Sequence, residues 1–223
     1  QIQQAAIAAG RDPKEITLCA ATKMNDSDRV KEAIASGITV CGENRVQELT
    51  QKHAEHAYDG APVHFIGHLQ TNKVRQVVGK VDLIQSVDSL RLLEAINKEA
   101  AKQGISQDIL LEINIGAEQS KSGFTLEEVR ALLPKIGSYR NIRTKGFMVI
   151  PPISQNPGDN RKKKKKILEL SVDITAKKYD NVWVDVLSMG MSDDYVDAIA
   201  CGSTMIRVGT AIFGARDYSK SHP

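Results

Sequence analysis

Short apolar, β-favouring runs alternate with amphipathic segments along the whole chain, and this alternation restricts the folds open to it. The runs fall at residues 16–23, 38–41, 63–66, 81–85, 108–115, 144–150, 182–187 and 204–208. Segments with helical spacing or helix-capping residues separate them, most clearly the segment with Leu92, Leu93, Ile96 and Ala100. Alternating strands and helices form parallel sheets, and eight such units in 223 residues fit a closed barrel better than an open sheet.

We therefore predict an α/β protein with a single (β/α)8 TIM barrel and an additional N-terminal helix that ends near Gly10 and Pro13. No shift in composition marks a boundary, so residues 1–223 are expected to form one domain. Further helices are predicted over residues 26–36, 43–58, 70–78, 88–103, 160–178 and 193–200, with another after Thr125. The sequence starts at Gln1 without a methionine, and we expect that a further segment precedes it.

The composition is that of an ordinary globular protein and indicates few partners. Hydrophobic residues make up 41% and charged residues 26%, and the formal net charge is +3, so we expect neither a nucleic-acid partner nor a membrane partner. No apolar run approaches the length of a bilayer span. The three cysteines are scattered, which predicts buried free thiols in a reducing, cytoplasmic compartment; they are Cys19, Cys41 and Cys201.

The first predicted strand ends in a lysine, Lys23, and turn-forming and helix-capping residues, Asn25 and Asp26, follow it closely. In a parallel barrel the carboxyl ends of the strands form the mouth at which ligands bind. A lysine at a strand end is ordinarily just solvated, so its position alone is weak evidence that Lys23 has a function.

The loops after the last two strands carry groups that suit a phosphate. Ser192 follows strand seven and is placed to cap a helix, either as a plain N-cap or beside amides that favour an anion. After strand eight, Gly209 permits close approach of the backbone to a ligand, and Thr210 adds a hydroxyl. Alternation with Val208 directs Arg207 into the barrel, where its partner is either a structural carboxylate or a ligand atom.

The barrel mouth would therefore combine one lysine amine with a phosphate-binding cradle. A lysine amine that faces a phosphate-anchored aldehyde is what a pyridoxal phosphate (PLP) Schiff base requires. The combination of Lys23 with the two loops indicates this chemistry.

Seven segments carry a resemblance to a known family: ATK at 21–23, GENRVQE at 42–48, HFIGHLQTNK at 64–73, SKSG at 120–123, GFM at 146–148, SMGMSDD at 188–194 and RVGTAIFG at 207–214. They run in order through nearly the whole chain, and together they are highly specific. On these segments the chain resembles the pyridoxal phosphate homeostasis protein family, whose single barrel is similar to the N-terminal domain of alanine racemase.

The resemblance implies that the cofactor is pyridoxal 5′-phosphate, held as a Schiff base on Lys23. It implies that Ser192, Gly209 and Thr210 contact the phosphate. The expected cellular role is homeostasis of PLP, by buffering and delivery, in a cytoplasmic monomer that contacts PLP-dependent apo-enzymes transiently.

The resemblance also implies that Arg207 faces the pyridine nitrogen and that Asn44 and Met148 lie near the ring. A cation opposite that nitrogen disfavours its protonation and weakens the ring as an electron sink. This effect suits a cofactor that is held, or used for limited carbanion chemistry.

Three functions stay open from the sequence. The leading hypothesis is a carrier of PLP that is not an enzyme. The second is a PLP-dependent amino-acid racemase, although alanine racemase uses a second domain and a tyrosine of its partner subunit, and we expect neither here. The third is a barrel that binds phosphate metabolites without a Schiff base.

Weaker signals concern charged residues elsewhere. The lysines at 162–166 favour a solvated helix start over an anion-binding surface. The histidine spacings match no recognised metal motif, so we expect no metal. Glu43, Asn44 and Arg45 are expected to open the second helix, as caps or as ligands. Lys121 is by default a surface lysine, with a second, transient amine for the cofactor as the alternative.

Overall fold

The described part of the chain forms one closed parallel barrel. The computed structural model describes residues 1–116, 122–152, 158 and 160–214, so Lys121 and most of the predicted polar loop at 151–159 lie outside it. The strands follow one another around the barrel, and β1 pairs with β2 and β8. They are β1 (Thr17–Ala21), β2 (Val40–Glu43), β3 (Val63–Phe65), β4 (Leu83–Val87), β5 (Gln107–Ile113), β6 (Ile142–Val149), β7 (Val182–Ser188) and β8 (Met205–Val208). The predicted (β/α)8 fold is confirmed.

Helices connect the strands on the outside, as parallel neighbours require. They are α1 (Ile2–Ala8), α2 (Ser27–Ala35), α3 (Val46–Ala54), α4 (Leu90–Gln103), α5 (Leu126–Leu132), α6 (Arg161–Lys177), α7 (Tyr195–Ala200) and α8 (Thr210–Phe213). The predicted N-terminal helix is confirmed as α1. The helix predicted over 70–78 is instead a 3₁₀ helix, Thr71–Gln76, and two further 3₁₀ helices cover Pro13–Glu15 and Leu133–Ser138.

The predicted start of the second helix at Glu43 is wrong. Glu43 is the last residue of β2, where it pairs with Phe65 of β3, and its carbonyl accepts a hydrogen bond from Ile66 N at 2.8 Å. The ladder to β3 extends the strand to Glu43, and α3 begins at Val46 with Arg45 as its N-cap.

Side-chain caps explain where several helices begin. Asp26 Oδ1 accepts from Arg29 N at 2.9 Å at the start of α2. Thr125 and Glu128 form a reciprocal capping box at the start of α5, with bonds of 2.8 and 3.1 Å. These caps satisfy amide groups that lack a partner within the helix, and each stabilises the helix by about 1 kcal/mol.

The apolar core has an outer and an inner part. The larger part lies between the strands and the helices and includes Phe65, Ile84, Leu93, Leu111 and Phe147. Burial of each such side chain contributes roughly 1.5–3 kcal/mol to folding. Small clusters line the barrel interior, and their buried members are Cys19, Val40, Ile66 and Met205 in one and Leu83, Leu110 and Met148 in the other.

The cysteine prediction is confirmed: Cys19, Cys41 and Cys201 are free and buried. Burial raises the pKa of the Cys19 thiol to about 12 and that of the Cys41 thiol to about 11.

Among the described residues, no helix has both the length and the apolar character needed to cross a membrane.

A bulge in β6 depends on Gly146. The register between β6 and β7 shifts between Thr144 and Gly146, and Gly146 has φ +139°. A Cβ atom at this position would lie 2.0 Å from the carbonyl oxygen of Val186. Both the backbone conformation and the close approach of β7 therefore require glycine.

We expect Gly146→Ala to lower the free energy of unfolding by about 3 kcal/mol, because it combines backbone strain with displacement of β7. Gly104→Ala is the matched control: Gly104 has φ +67°, and its Cβ would meet no atom within 4 Å. The control should cost about 1 kcal/mol, the strain of a left-handed residue. Urea denaturation measures both, and an equal loss in the two variants would contradict the role of the β7 contact.

Candidate functional site

A cavity of about 290 Å³ opens at the carboxyl ends of the strands. Its volume lies near the lower end of the range of small-molecule pockets, roughly 300–1,000 Å³. The predicted site residues that line it are Lys23, Asn44, Ser192, Arg207, Gly209 and Thr210. The fold thus brings together residues from the two ends of the sequence, because β8 closes the barrel against β1.

Met148 is the predicted site residue that lies elsewhere. Its side chain is fully buried inside the barrel with Leu83 and Leu110, and it is absent from the described cavity wall. The predicted proximity of Met148 to the cofactor ring stays a prediction.

The Lys23 side chain reaches the cavity because of the alternation that β1 begins. Ala21 lines the cavity, Thr22 is fully buried, and Lys23 lines the cavity again. Met24 then takes a positive φ of 60°, and Asn25 Nδ2 donates to Lys23 O at 3.0 Å. β1 ends at Ala21, two residues before the predicted strand end at Lys23, and the chain turns at Lys23 and Met24 at the barrel mouth.

Asn44 presents a buried polar atom without a described partner. Its backbone N–H donates to Glu43 Oε1 at 2.8 Å, whereas its Oδ1 has no hydrogen-bond partner among the described residues. A buried oxygen without a partner is costly in a native structure and indicates a ligand or a water. Because α3 has Arg45 as its N-cap, the Asn44 side chain does not cap that helix.

Arg207 points into the barrel, as its alternation with Val208 predicts. It is 5% exposed, and its NH1 donates to Ser188 O at 2.8 Å and to Ser188 Oγ at 2.7 Å. Its NH2 donates to Val149 O at 3.0 Å. Burial lowers the pKa of the Arg207 guanidinium, and electrostatic interactions with Cys19, Glu112 and Asp194 oppose that shift. Among the described residues, the hydrogen-bond partners of Arg207 are oxygens of Ser188 and Val149, not a carboxylate.

A chain of polar side chains crosses the barrel beneath Arg207. Ser188 Oγ donates to Gln85 Oε1 at 2.6 Å, and Gln85 Nε2 lies 3.0 Å from His64 Nδ1. Burial lowers the pKa of His64 to about 4, so the imidazole is neutral at physiological pH and can accept from the amide. This chain fixes Ser188, which in turn orients the guanidinium.

The loop after β7 differs from its prediction. Ser192 lines the cavity, but the plain N-cap, one of its two predicted alternatives, is wrong, because α7 begins at Tyr195 with Asp194 at the N-cap position. Asp194 Oδ1 instead accepts from Met191 N at 2.7 Å, and Asp194 O accepts from Lys164 Nζ at 3.4 Å. The carboxylate closes a turn around Ser192, which delays the start of the helix.

Lys164 corrects the interpretation of the lysine run. It is 1% exposed, and its Nζ lies 2.6 Å from Asp194 Oδ2. Lys162, Lys165 and Lys166 are exposed on the same helix, as predicted for a solvated face. Helical periodicity turns one lysine of the run inward, where it supports the loop that carries Ser192.

Gly209 and Thr210 follow β8 beside the end of β1. A Cβ atom on Gly209 would lie 3.3 Å from Ala21 Cβ and 3.5 Å from Ala21 O, so glycine permits the close approach of the two strand ends. Thr210 is exposed and begins α8. Both residues line the same cavity as Lys23.

The sequence analysis missed several residues of the cavity wall, which are Ala21, Met24, Asn25, Asp26, Arg29, Ile66, Ile150, Met191, Phe213 and Gly214. Among them is a charged residue, Arg29, whose side chain contacts Phe213. Its NH2 donates to Phe213 O at 2.6 Å, and its guanidinium lies 5.9 Å from the centroid of the Phe213 ring. The sequence signal that could have identified Arg29 was its position in the first turn of the helix that follows Lys23.

Glu112 is a second ionisable group that the sequence analysis missed. It lies on β5 opposite Met148 of β6, and on the same side of the strand as the interior residue Leu110. Burial raises the pKa of its carboxyl to about 7, and Asp88 adds to the shift, whereas Arg207 and His68 lower it. His68 Nδ1 lies 3.1 Å from Asp88 Oδ2.

The described residues contain no candidate metal site. In the ranges that the structure describes, His, Cys, Asp and Glu side chains form no cluster of three that could hold a metal ion.

Comparison with known proteins places this barrel among its relatives. The family model for the alanine racemase N-terminal domain matches residues 7–217. The pyridoxal phosphate homeostasis protein of Aquifex aeolicus (strain VF5) is 41% identical over 98% of this chain and 95% of its own length. The protein of the same name from Escherichia coli (strain K12) is 39% identical over 99% of this chain and 94% of its own.

A solved structure has the same fold. PipY of Synechococcus elongatus PCC7942, with PLP bound, matches with a TM-score of 0.82 and 32% identity, over 96% of this chain and 100% of that chain. Sequence and fold agree over nearly the full length, so the chain belongs to the alanine racemase N-terminal domain family and, within it, to the pyridoxal phosphate homeostasis proteins.

Proposed function

We propose that this protein binds pyridoxal 5′-phosphate as a Schiff base on Lys23 and takes part in the homeostasis of that cofactor. The observation that carries the proposal is the shared cavity of Lys23, Ser192, Gly209 and Thr210 at the barrel mouth. The names of the relatives and the PLP-bound state of PipY support it.

The residues present fit such a cofactor. The cavity offers an amine, two hydroxyl groups and a backbone that comes close at Gly209, and its volume suits a small molecule. Asn44 Oδ1 needs a hydrogen-bond donor that the described residues do not supply. Rotation of this amide by 180° would present its NH2 group instead. Asn44 can therefore accept a hydrogen bond from a protonated ring hydroxyl or donate one to a deprotonated ring hydroxyl.

Each residue has a distinct proposed role. PLP supplies an aldehyde, to which an amine adds with loss of one water to give a C=N bond. Lys23 provides that amine, and Ser192, Thr210 and the Gly209 backbone hold the phosphate. Asn44 and Met148 are assigned to the surroundings of the ring.

Arg207 is assigned to the ring nitrogen. The guanidinium has hydrogen-bond donors and no acceptor, so it stabilises an unprotonated nitrogen and opposes its protonation. Ser188 and Val149 fix the guanidinium through three hydrogen bonds. An unprotonated ring is a weak electron sink, which favours storage and delivery over amino-acid chemistry.

We further propose that the protein acts in the cytoplasm as a single-domain monomer that contacts PLP-dependent apo-enzymes transiently. The free, buried thiols of Cys19, Cys41 and Cys201 support a reducing compartment. Transient contact is what delivery requires, because the cofactor must leave one lysine amine for another.

Amino-acid racemisation is the second candidate, and one observation favours it. Glu112 can exchange a proton near neutral pH, since burial raises the pKa of its carboxyl to about 7. The placement of Arg207 limits this candidate, because a ring whose nitrogen stays unprotonated stabilises a carbanion less well. We therefore assign catalysis, at most, to a weak side activity.

Lys23→Ala should abolish the adduct that borohydride reduction traps and the absorbance band of the bound cofactor. The fold should persist, because Lys23 is only partly buried and its loss opens no core cavity. Lys73→Ala, a partly buried lysine of the 3₁₀ helix after β3, is the control and should bind normally. Peptide mapping that placed the pyridoxyl group chiefly on Lys73 or Lys121 would contradict the assignment. A wild-type protein without the band would favour the phosphate-metabolite barrel.

Turnover should stay far below that of a dedicated racemase when the PLP-loaded protein meets a panel of L- and D-amino acids. The physical reason is the weak electron sink that Arg207 imposes. Chiral chromatography measures the products. Racemisation at the rate of dedicated enzymes would replace the carrier assignment with the racemase.

Glu112→Gln should change how stability depends on pH. The folded carboxyl has a pKa of about 7 against an ordinary 4.5, so the native state holds the proton longer than the unfolded state does. Glu112 therefore makes the wild type less stable as pH rises from about 4.5 to about 7. Relative to the wild type, the variant should gain about 2–3 kcal/mol between pH 5 and pH 8 in urea denaturation. Parallel pH profiles of the two proteins would show that the carboxyl titrates normally.

A further inference from the structure

A buried charged cluster lies behind the Lys23 backbone, and we call it the Lys52 cluster; it consists of Glu43, Glu48 and Lys52. Lys52 is 4% exposed. Its Nζ donates to Glu43 Oε2 at 2.7 Å, to Glu48 Oε2 at 3.0 Å and to the backbone oxygen of Thr22 at 2.9 Å. An ammonium has three N–H donors, so this group is fully satisfied.

The Lys52 cluster holds both peptide bonds that flank Lys23. The carbonyl of Thr22 belongs to the peptide bond before Lys23, and it accepts from Lys52. The amide of Met24 belongs to the peptide bond after Lys23, and it donates to Glu48 Oε2 at 2.8 Å. The same carboxylate oxygen contacts Lys52, so one ion pair connects the two sides of Lys23.

The Glu48 contact falls at the turn that aims the lysine. Met24 has φ +60°, a left-handed conformation that is unfavourable for a residue other than glycine. Glu48 accepts the N–H of that same residue, and this bond helps to keep the turn in place. Without it, the backbone after Lys23 can relax toward ordinary extended or helical angles.

We propose that Lys52 and Glu48 are positioning residues that aim the Lys23 amine at the aldehyde carbon of the cofactor. The inference rests on the proposed function of Lys23. Neither residue lines the cavity in the described structure, so both act through the backbone of Lys23.

The proposal separates two components of cofactor binding. Ser192, Gly209 and Thr210 lie on the loops after β7 and β8, and the Lys52 cluster holds the end of β1. Loss of the cluster should therefore impair bond formation to Lys23 and leave phosphate-anchored binding nearly unchanged. Misplacement of a reacting atom by about 1 Å can cost on the order of a hundredfold in rate.

The test compares two ligands on a set of full-length variants. PLP reports bond formation through the rate of its absorbance change and the amount of borohydride-trapped adduct on Lys23. Pyridoxine 5′-phosphate has an alcohol in place of the aldehyde, so calorimetry with it reports non-covalent binding alone. The variants are Lys52→Met, Glu48→Ala, Glu48→Gln and Leu93→Ala.

Two of these variants serve as controls. Glu48→Gln keeps an oxygen that can accept from Met24 N and should restore most of the rate that Glu48→Ala loses. Leu93→Ala lowers stability through a cavity in the outer core, where Leu93 is fully buried on α4. It matches the general destabilisation without touching the Lys52 cluster.

We expect Glu48→Ala and Lys52→Met to slow adduct formation on Lys23 by at least about tenfold. The affinity for pyridoxine 5′-phosphate should change by less than about threefold in both, which is a difference below about 0.7 kcal/mol. Leu93→Ala should form the adduct at the wild-type rate. Because Lys52→Met leaves two carboxylates without their cation, Glu48→Ala decides the test if Lys52→Met does not fold.

Adduct formation at the wild-type rate in Glu48→Ala would overturn the proposal. An equal loss of adduct rate and of pyridoxine 5′-phosphate affinity would also overturn it, because the cluster would then support the whole site. A wild-type protein that forms no adduct on Lys23 would instead refute the proposed function, and the two failures are thereby distinguished.

Discussion

Closure of the barrel between β1 and β8 is the constraint on which the rest of the site depends. Cys19 pairs with Arg207 and Ala20 pairs with Val208, so the first strand and the last run side by side to the mouth. Lys23 therefore emerges beside Gly209, although 185 residues separate them in the chain. Gly209 keeps the junction narrow, because a Cβ there would press against Ala21. A sheet that stayed open would leave these groups at opposite edges.

Buried lysines support the two sides of this junction from outside the cavity. Lys52 contacts the backbone before Lys23, and Lys164 pairs with Asp194 in the loop that carries Ser192. Burial of an ammonium is costly, and oxygens at 2.6 to 3.0 Å offset that cost only in one arrangement of the chain. Such pairs add little net stability compared with apolar residues, but they specify where a loop lies. Each pair here specifies the position of a segment that faces the proposed cofactor.

The interior of the barrel sets the electrical character of the site. Arg207 is held by Ser188 and Val149, and the neutral His64 completes the chain behind Ser188 through Gln85. This arrangement keeps a cation in the cavity wall, where, in the proposed function, it would oppose protonation of a pyridine nitrogen. Glu112 is a further ionisable group of the barrel interior with a pKa of about 7, and Asp88 and Arg207 act on that pKa in opposite directions. In the proposed function, this balance of charges would favour a cofactor that is held over one that is used.

The sequence by itself determined the barrel, the first strand and turn that bring Lys23 to the mouth, and the inward direction of Arg207, because alternating polarity and turn residues act locally. The tertiary structure decided what depends on neighbours from other parts of the chain. Pairing with β3 keeps Glu43 in a strand, where the sequence predicted a helix. Asp194, not Ser192, occupies the N-cap position of α7, and Lys164 is buried within a run of lysines that the sequence predicted to be solvated. The shifted pKa of Glu112 likewise arises from burial and from charges on other strands, which no local pattern records.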